Sequence, residues 1–153
     1  MKKTEQPGEL TVRSRPRDLA AIRWWLERVG KAHGLSSGDI ADLKVAASEA
    51  CTNIIRHAYR GDPSQRIVLR ATPSRDGMEI TIRDFAPPFD PTALRPPDPG
   101  EPREGGYGIF LIRQLTDTVE FSRPEGGGNQ LRMVKRRHSS RKRDRGGTTS
   151  HGA

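Results

Sequence analysis

Glu49 and Asn53 stand four residues apart in a stretch that reads Glu49-Ala50-Cys51-Thr52-Asn53-Ile54-Ile55-Arg56-His57-Ala58. On a helix that spacing points a carboxylate and a carboxamide the same way, which suits a base beside a metal ligand. Further on, Asp84-Phe85-Ala86 places a lone carboxylate at the end of an alternating run, where it can accept from an amino group on a base. Gly105-Gly106-Tyr107-Gly108-Ile109 then opens a helical pattern with glycines, leaving backbone N–H groups bare for an anion. The three segments together read as a nucleotide site. Gly-x-x-x-x-Gly-Lys-Ser/Thr does not occur, so P-loop chemistry is set aside.

These groups need elements to position them. Glu9 to Ser14 alternates around Leu10 and Val12 and predicts a strand that Pro16 stops. Leu19, Ile22, Leu26 and Val29 recur at helical spacing, so Arg17 to about His33 is expected to form an amphipathic helix, with one of Trp24 and Trp25 packed. Ser36, Ser37 and Asp39 offer capping oxygens to a second helix, whose apolar side is Leu43, Ala47, Ala50, Ile54 and Ala58. This helix carries Glu49 and Asn53. Ile67, Leu69 and Ala71 alternate in one strand, and Met78, Ile80 and Ile82 in its hairpin partner, which ends on Asp84. Six of the twelve prolines fall between Pro87 and Pro99, which predicts an irregular loop or lid there. A third helix after the glycines and a terminal hairpin around Glu125-Gly126-Gly127-Gly128-Asn129 complete the order βααββαββ. Helices on one face of a mixed, mostly antiparallel sheet make a two-layer α+β sandwich.

Bulk properties agree with one domain. The chain has 153 residues, of which 32% are hydrophobic, and the apolar ones are concentrated in the periodic runs, so a core is expected. Net charge is +8, yet seven Lys or Arg against one acid lie between Lys135 and Arg145. Without them the balance is +2, so the tail, not the domain, makes the protein basic. Residues 1–7 read as a disordered N-terminus, 8–137 as the domain, and 138–153 as a basic disordered tail. Nucleic acid is expected as a partner only through that tail. No apolar stretch follows Met1-Lys2-Lys3, and no run approaches a membrane span, so neither a secretory leader nor a membrane partner is expected. The single cysteine excludes an internal disulfide and agrees with a reducing cytoplasm.

Leu43 to Asn53, followed by Arg56-His57-Ala58-Tyr59, and Asp84-Phe85-Ala86-Pro87-Pro88-Phe89-Asp90-Pro91 resemble the bacterial anti-sigma-factor serine/threonine kinases. These form one branch of the ATP-binding superfamily that includes histidine kinases, gyrase-type ATPases and Hsp90. The resemblance covers roughly residues 8 to 137. It implies a Bergerat-type ATP-binding fold in which Glu49 is the general base, Asn53 holds Mg²⁺ and Asp84 binds the adenine amino group. It also implies that Ala86 takes a glycine-box position and that Gly105, Gly106, Tyr107 and Gly108 cradle phosphate. Arg103 is either a loop charge or a γ-phosphate contact.

The family's first glycine box reads Asp-x-Gly-x-Gly, where this chain has Ala86 and Pro88; a threonine often found near the last strand is replaced by Asn129 and Gln130. His57 reads as a phosphate contact or a core residue, because no second His or Cys stands at ligand spacing. Arg56 is solvated or phosphate-facing, and Cys51 reads as a buried structural thiol.

The implied activity is an ATP-dependent protein serine kinase that sequesters a sigma factor and phosphorylates a small anti-sigma-factor antagonist. The resemblance admits a homodimer. Two other readings are an interaction module that binds nucleotide without phosphotransfer, and a nucleic-acid-associated regulator acting through the basic tail.

Overall fold

The computed structural model describes residues 4–6, 8–88 and 106–138. Six strands form one sheet in the order β1-β2-β3-β4-β6-β5: β1 (Thr4–Gln6), β2 (Glu9–Arg13), β3 (Arg66–Ser74), β4 (Gly77–Asp84), β5 (Thr118–Ser122) and β6 (Asn129–Arg136). Every pairing among the described residues is antiparallel, so the sheet lacks the mixed component expected from sequence. The antiparallel β2–β3 pair spans two helices, α1 (Leu19–Ala32) and α2 (Ser37–Asn53), because a helical hairpin returns the chain to the end it left. A third helix, α3 (Gly106–Leu115), precedes the β5–β6 hairpin. That hairpin inserts β6 beside β4.

Period-two alternation puts Leu10, Val12, Ile67, Leu69, Met78, Ile80, Ile82, Leu131 and Met133 in the core. The helices meet them with Ile22, Trp25, Leu26, Ile40, Leu43, Ala46, Ala47, Ala50, Cys51 and Ile112. Trp25 is the tryptophan that packs, at 1% exposure, while Trp24 is 70% exposed. The Ser36 hydroxyl caps α2 by accepting from the Asp39 N–H at 3.1 Å. At the far end, directly after Asn53, the helix widens into a π turn over Ile54–Ala58, closed by Tyr59 N–H to Ile54 O at 2.8 Å.

Two boundaries differ from the sequence reading. Thr4–Gln6 is a strand paired with β2, reached through Gly8 at φ +79, instead of part of a disordered N-terminus. Three polar residues carry no alternation of their own, and the template comes from β2. At the other end His138, assigned to the tail, is fastened to buried Asp39: its N–H donates to Oδ2 at 2.8 Å and its Nδ1 lies 2.9 Å from Oδ1. The folded unit therefore reaches one residue past Arg137, and 139–153 lie outside the described residues. No helix among the described residues is long and apolar enough to cross a membrane.

Candidate nucleotide site

A cleft opens between α2, α3 and the adjoining ends of β4 and β6. Ala50, Asn53, Ile54, His57, Asp84 and Ile109 are among the residues that line it, with Asn129, Gln130 and Leu131 on the far wall. Its apolar floor and few polar groups suit the flat face of a base. Asn53 and Asp84, far apart in sequence, thus share one cavity.

Asp84 is 5% exposed because β4 alternates and its last residue, in phase with Ile82 and Ile80, faces inward. A buried carboxylate needs hydrogen bonds. Its Oδ1 accepts from the Ala86 N–H at 2.9 Å and from Asn129 Nδ2 at 2.9 Å. Ala86 is buried beside it, outside the cleft lining, so its contribution is to hold the carboxylate.

Tyr59 fixes the next residue. Its hydroxyl accepts from the Phe85 N–H at 2.7 Å and donates to Arg66 O at 2.6 Å. Burial, and then the charge of Asp84, push the Tyr59 phenol up to about 12. Phe85 itself turns to the opposite side, where the Arg66 and Arg83 guanidiniums stack on its ring at 4.1 and 4.8 Å. In the sequence Tyr59 stands out only as part of a motif. Its signal was one polar aromatic right after an apolar helical face, which gives no hint of a partner 26 residues away.

Asn53 is the last residue of α2, and its Nδ2 is buried with no hydrogen-bond partner. It packs on α3 where Gly108 offers no side chain: a Cβ there would lie 2.7 Å from Nδ2 and 3.2 Å from Oδ1. Glu49 is half-buried one turn earlier on α2, with no hydrogen bond or ion pair among the described residues, and does not line the cleft. Gly106 and Tyr107 begin α3. Arg103 and Gly105 lie outside the described residues.

His57 is exposed at the cleft rim, so the core alternative fails: the π turn rotates it off the apolar face. Arg56 is also exposed. Cys51 is fully buried, and burial pushes its thiol up to about 12, which suits packing and not nucleophilic attack. Lys135, absent from the sequence candidates, is buried with its Nζ 2.9 Å from Asp42 Oδ2 and 2.8 Å from Leu115 O. It ties the C-terminal end of α3 to α2 and β6. A single lysine in a basic run carries no sign of that.

Residues 12–135 match the family described as histidine kinase-like ATPase domain. The chain is 36% identical over 135 residues to the serine-protein kinase RsbW of Halalkalibacterium halodurans, covering 83% of this chain and 81% of that protein. It is 37% identical over 126 residues to the RsbW of Oceanobacillus iheyensis, covering 77% of this chain and 80% of that protein. With the RsbW of Bacillus subtilis it shares 32% over 134 residues, covering 82% and 84% of the two chains. Among solved structures, the RsbU and RsbW domains of a Mycobacterium tuberculosis protein superpose with a TM-score of 0.61 at 21% identity, a likeness of fold. That match covers 86% of this chain and 32% of the solved one.

Proposed function

The chain belongs to the serine-protein kinase RsbW family and is an ATP-dependent protein serine/threonine kinase of the anti-sigma-factor class, and from that premise we propose how its residues divide the work. The observation that carries the proposal is the meeting of Asn53, Asp84 and the glycine start of α3 around one cleft.

Asp84 accepts a hydrogen bond from the adenine amino group, and a purine with an acceptor at that position is disfavoured. Ile82, Ile54, Ile109 and Leu131 supply the apolar surroundings in which that bond is strong. The bare N–H groups at the start of α3 receive phosphate, and exposed His57 stands at the rim where it can reach the same charge. Arg103 and Gly105 extend this phosphate cradle in our reading.

Mg²⁺ fits the donor set. The Asn53 carboxamide makes no hydrogen bond among the described residues, its Nδ2 being buried without a partner, so its oxygen is available to a cation. A hard cation takes oxygen ligands, and here it would draw the others from phosphate and water. When bound it would neutralise the charge on the β- and γ-phosphates. Glu49 aligns or deprotonates the attacking serine hydroxyl and leaves nucleotide binding to the other residues. The protein substrate is a small anti-sigma-factor antagonist, and a sigma factor is bound in the alternative state. The resemblance to the anti-sigma-factor kinases admits a homodimer, and a reducing cytoplasm fits the one buried thiol.

The test is calorimetry with ATP and GTP on the wild type and Asp84→Asn, followed by transfer of labelled phosphate to an antagonist protein from the native host. Wild type should prefer ATP. Loss of one charge-assisted hydrogen bond in Asp84→Asn should weaken ATP by roughly ten- to a hundredfold. Equal affinity for the two nucleotides, unchanged in the variant, removes Asp84 from base recognition; tight ATP binding with no transfer to any antagonist removes the kinase assignment.

A further inference from the structure

The register of β4 against β6 sets Asp84 directly opposite Asn129. Gly128, at φ +84, makes that pairing reachable, since a Cβ there would stand 2.0 Å from Asp84 O. Both side chains of the pair are buried, at 5% and 7% exposure. The Asn129 Nδ2 carries two hydrogens and uses both: it lies 2.9 Å from Asp84 Oδ1 and 2.9 Å from Pro87 O, with Ala86 O more distant at 3.4 Å.

We propose that Asn129 is a positioning residue that fixes the direction of the Asp84 carboxylate, turning its unheld oxygen toward a purine base, and that it sets the base preference of the cleft without touching the base amino group. The proposal rests on the reading of Asp84 as the base-recognition group. The chemistry follows from the lone pairs. Oδ1 receives two donors, the Ala86 N–H and the Asn129 amide, and each carboxylate oxygen offers about two acceptor sites. Oδ1 is thereby filled. Oδ2 receives no donor from the described residues and is the oxygen left to accept from a ligand. Turning the carboxylate plane away from this position breaks two hydrogen bonds in a buried setting, so the free acceptor is held in one direction.

The second Asn129 hydrogen adds a link that a hydroxyl could not supply. A threonine or serine has one proton and can serve the carboxylate or the Pro87 carbonyl, whereas the amide serves both. The backbone immediately before the proline-rich stretch is thus tied to the same group that orients Asp84.

The experiment measures affinities of ATP and GTP by calorimetry, and the melting temperature without nucleotide, for wild type, Asp84→Asn, Asn129→Ala and Asn129→Ser. The expected result is a wild type that prefers ATP, an Asp84→Asn variant that loses the preference, and an Asn129→Ala variant whose ATP-to-GTP ratio falls about tenfold, the loss of one oriented hydrogen bond. Asn129→Ser should recover part of the ratio, and supplies the measurement should the alanine variant not fold. If the Asn129 variants lose melting temperature and bind both nucleotides equally less well, with the ratio intact, Asn129 is only structural and the proposal is overturned while Asp84 keeps its role. If Asp84→Asn leaves the wild-type ratio unchanged, the base-recognition reading falls and takes the proposal with it.

Discussion

The carboxamide of Asn53 lies against the bare Cα of Gly108, so close that a Cβ on Gly108 would stand 2.7 Å from Asn53 Nδ2. The last residue of α2 and the first turn of α3 are therefore fitted to each other.

Gly108→Ala separates stability from activity. The atom in the way is the end of a side chain, which can turn aside, and alanine favours a helix over glycine by up to about 1 kcal/mol. The melting temperature should hold or rise. Displacing Asn53 by even an ångström misplaces the group proposed to hold the cation, so phosphotransfer should fall on the order of a hundredfold. Asn53→Ala should show the same loss, with partner binding kept. Full activity at low Mg²⁺ in Asn53→Ala removes Asn53 as a ligand.

Glu49→Gln should bind ATP as the wild type does and transfer phosphate slower by about 10² to 10⁴. Its side chain lies outside the cleft lining, which is why binding is expected to survive. The assay needs the protein substrate, since a lone ATPase measurement can miss a kinase that waits for it. Equal turnover numbers in variant and wild type assign the catalytic role elsewhere.

Tyr59→Phe deletes one hydroxyl and leaves two backbone groups, the Phe85 N–H and Arg66 O, without their partner. Unfolding free energy should drop by about 1–3 kcal/mol, read by urea denaturation. ATP affinity should fall as well, because the Phe85 N–H is the backbone group next to Asp84. A variant as stable as the wild type would show that water replaces the hydroxyl without cost.

Alkaline pH should unfold the protein early. Cys51 and Tyr59 are both pushed up to about 12 by burial, from ordinary values of 9.0 and 10.0. The folded state holds these protons more tightly than the unfolded chain, so stability is complete below about pH 9 and declines as pH rises toward 12. Cys51→Ala should flatten the first part of that decline in a denaturation series. An unaltered slope between pH 9 and 10 in Cys51→Ala means that the thiol is not what limits stability there.

Local patterns in the chain carried the elements and the placement of several candidate residues on them. Helical spacing placed Glu49 and Asn53 on one helix, strand alternation brought Asp84 inward at the end of β4, and the glycines marked the start of α3. Those are properties of neighbours within a few residues, and side-chain period and backbone freedom determine them directly. What needed the tertiary structure is every relationship that crosses the sheet or the helix layer. Asn129 became the partner of Asp84 only because β6 pairs with β4 in that register, and a one-residue slip would have turned it to the other face. Tyr59 reached Phe85, Lys135 reached Asp42 and the end of α3, and His138 reached Asp39, each through contacts that the chain makes only once it is folded. The π turn after Asn53 decided that His57 faces solvent at the cleft and not the core, since one added residue in a helical turn rotates everything beyond it.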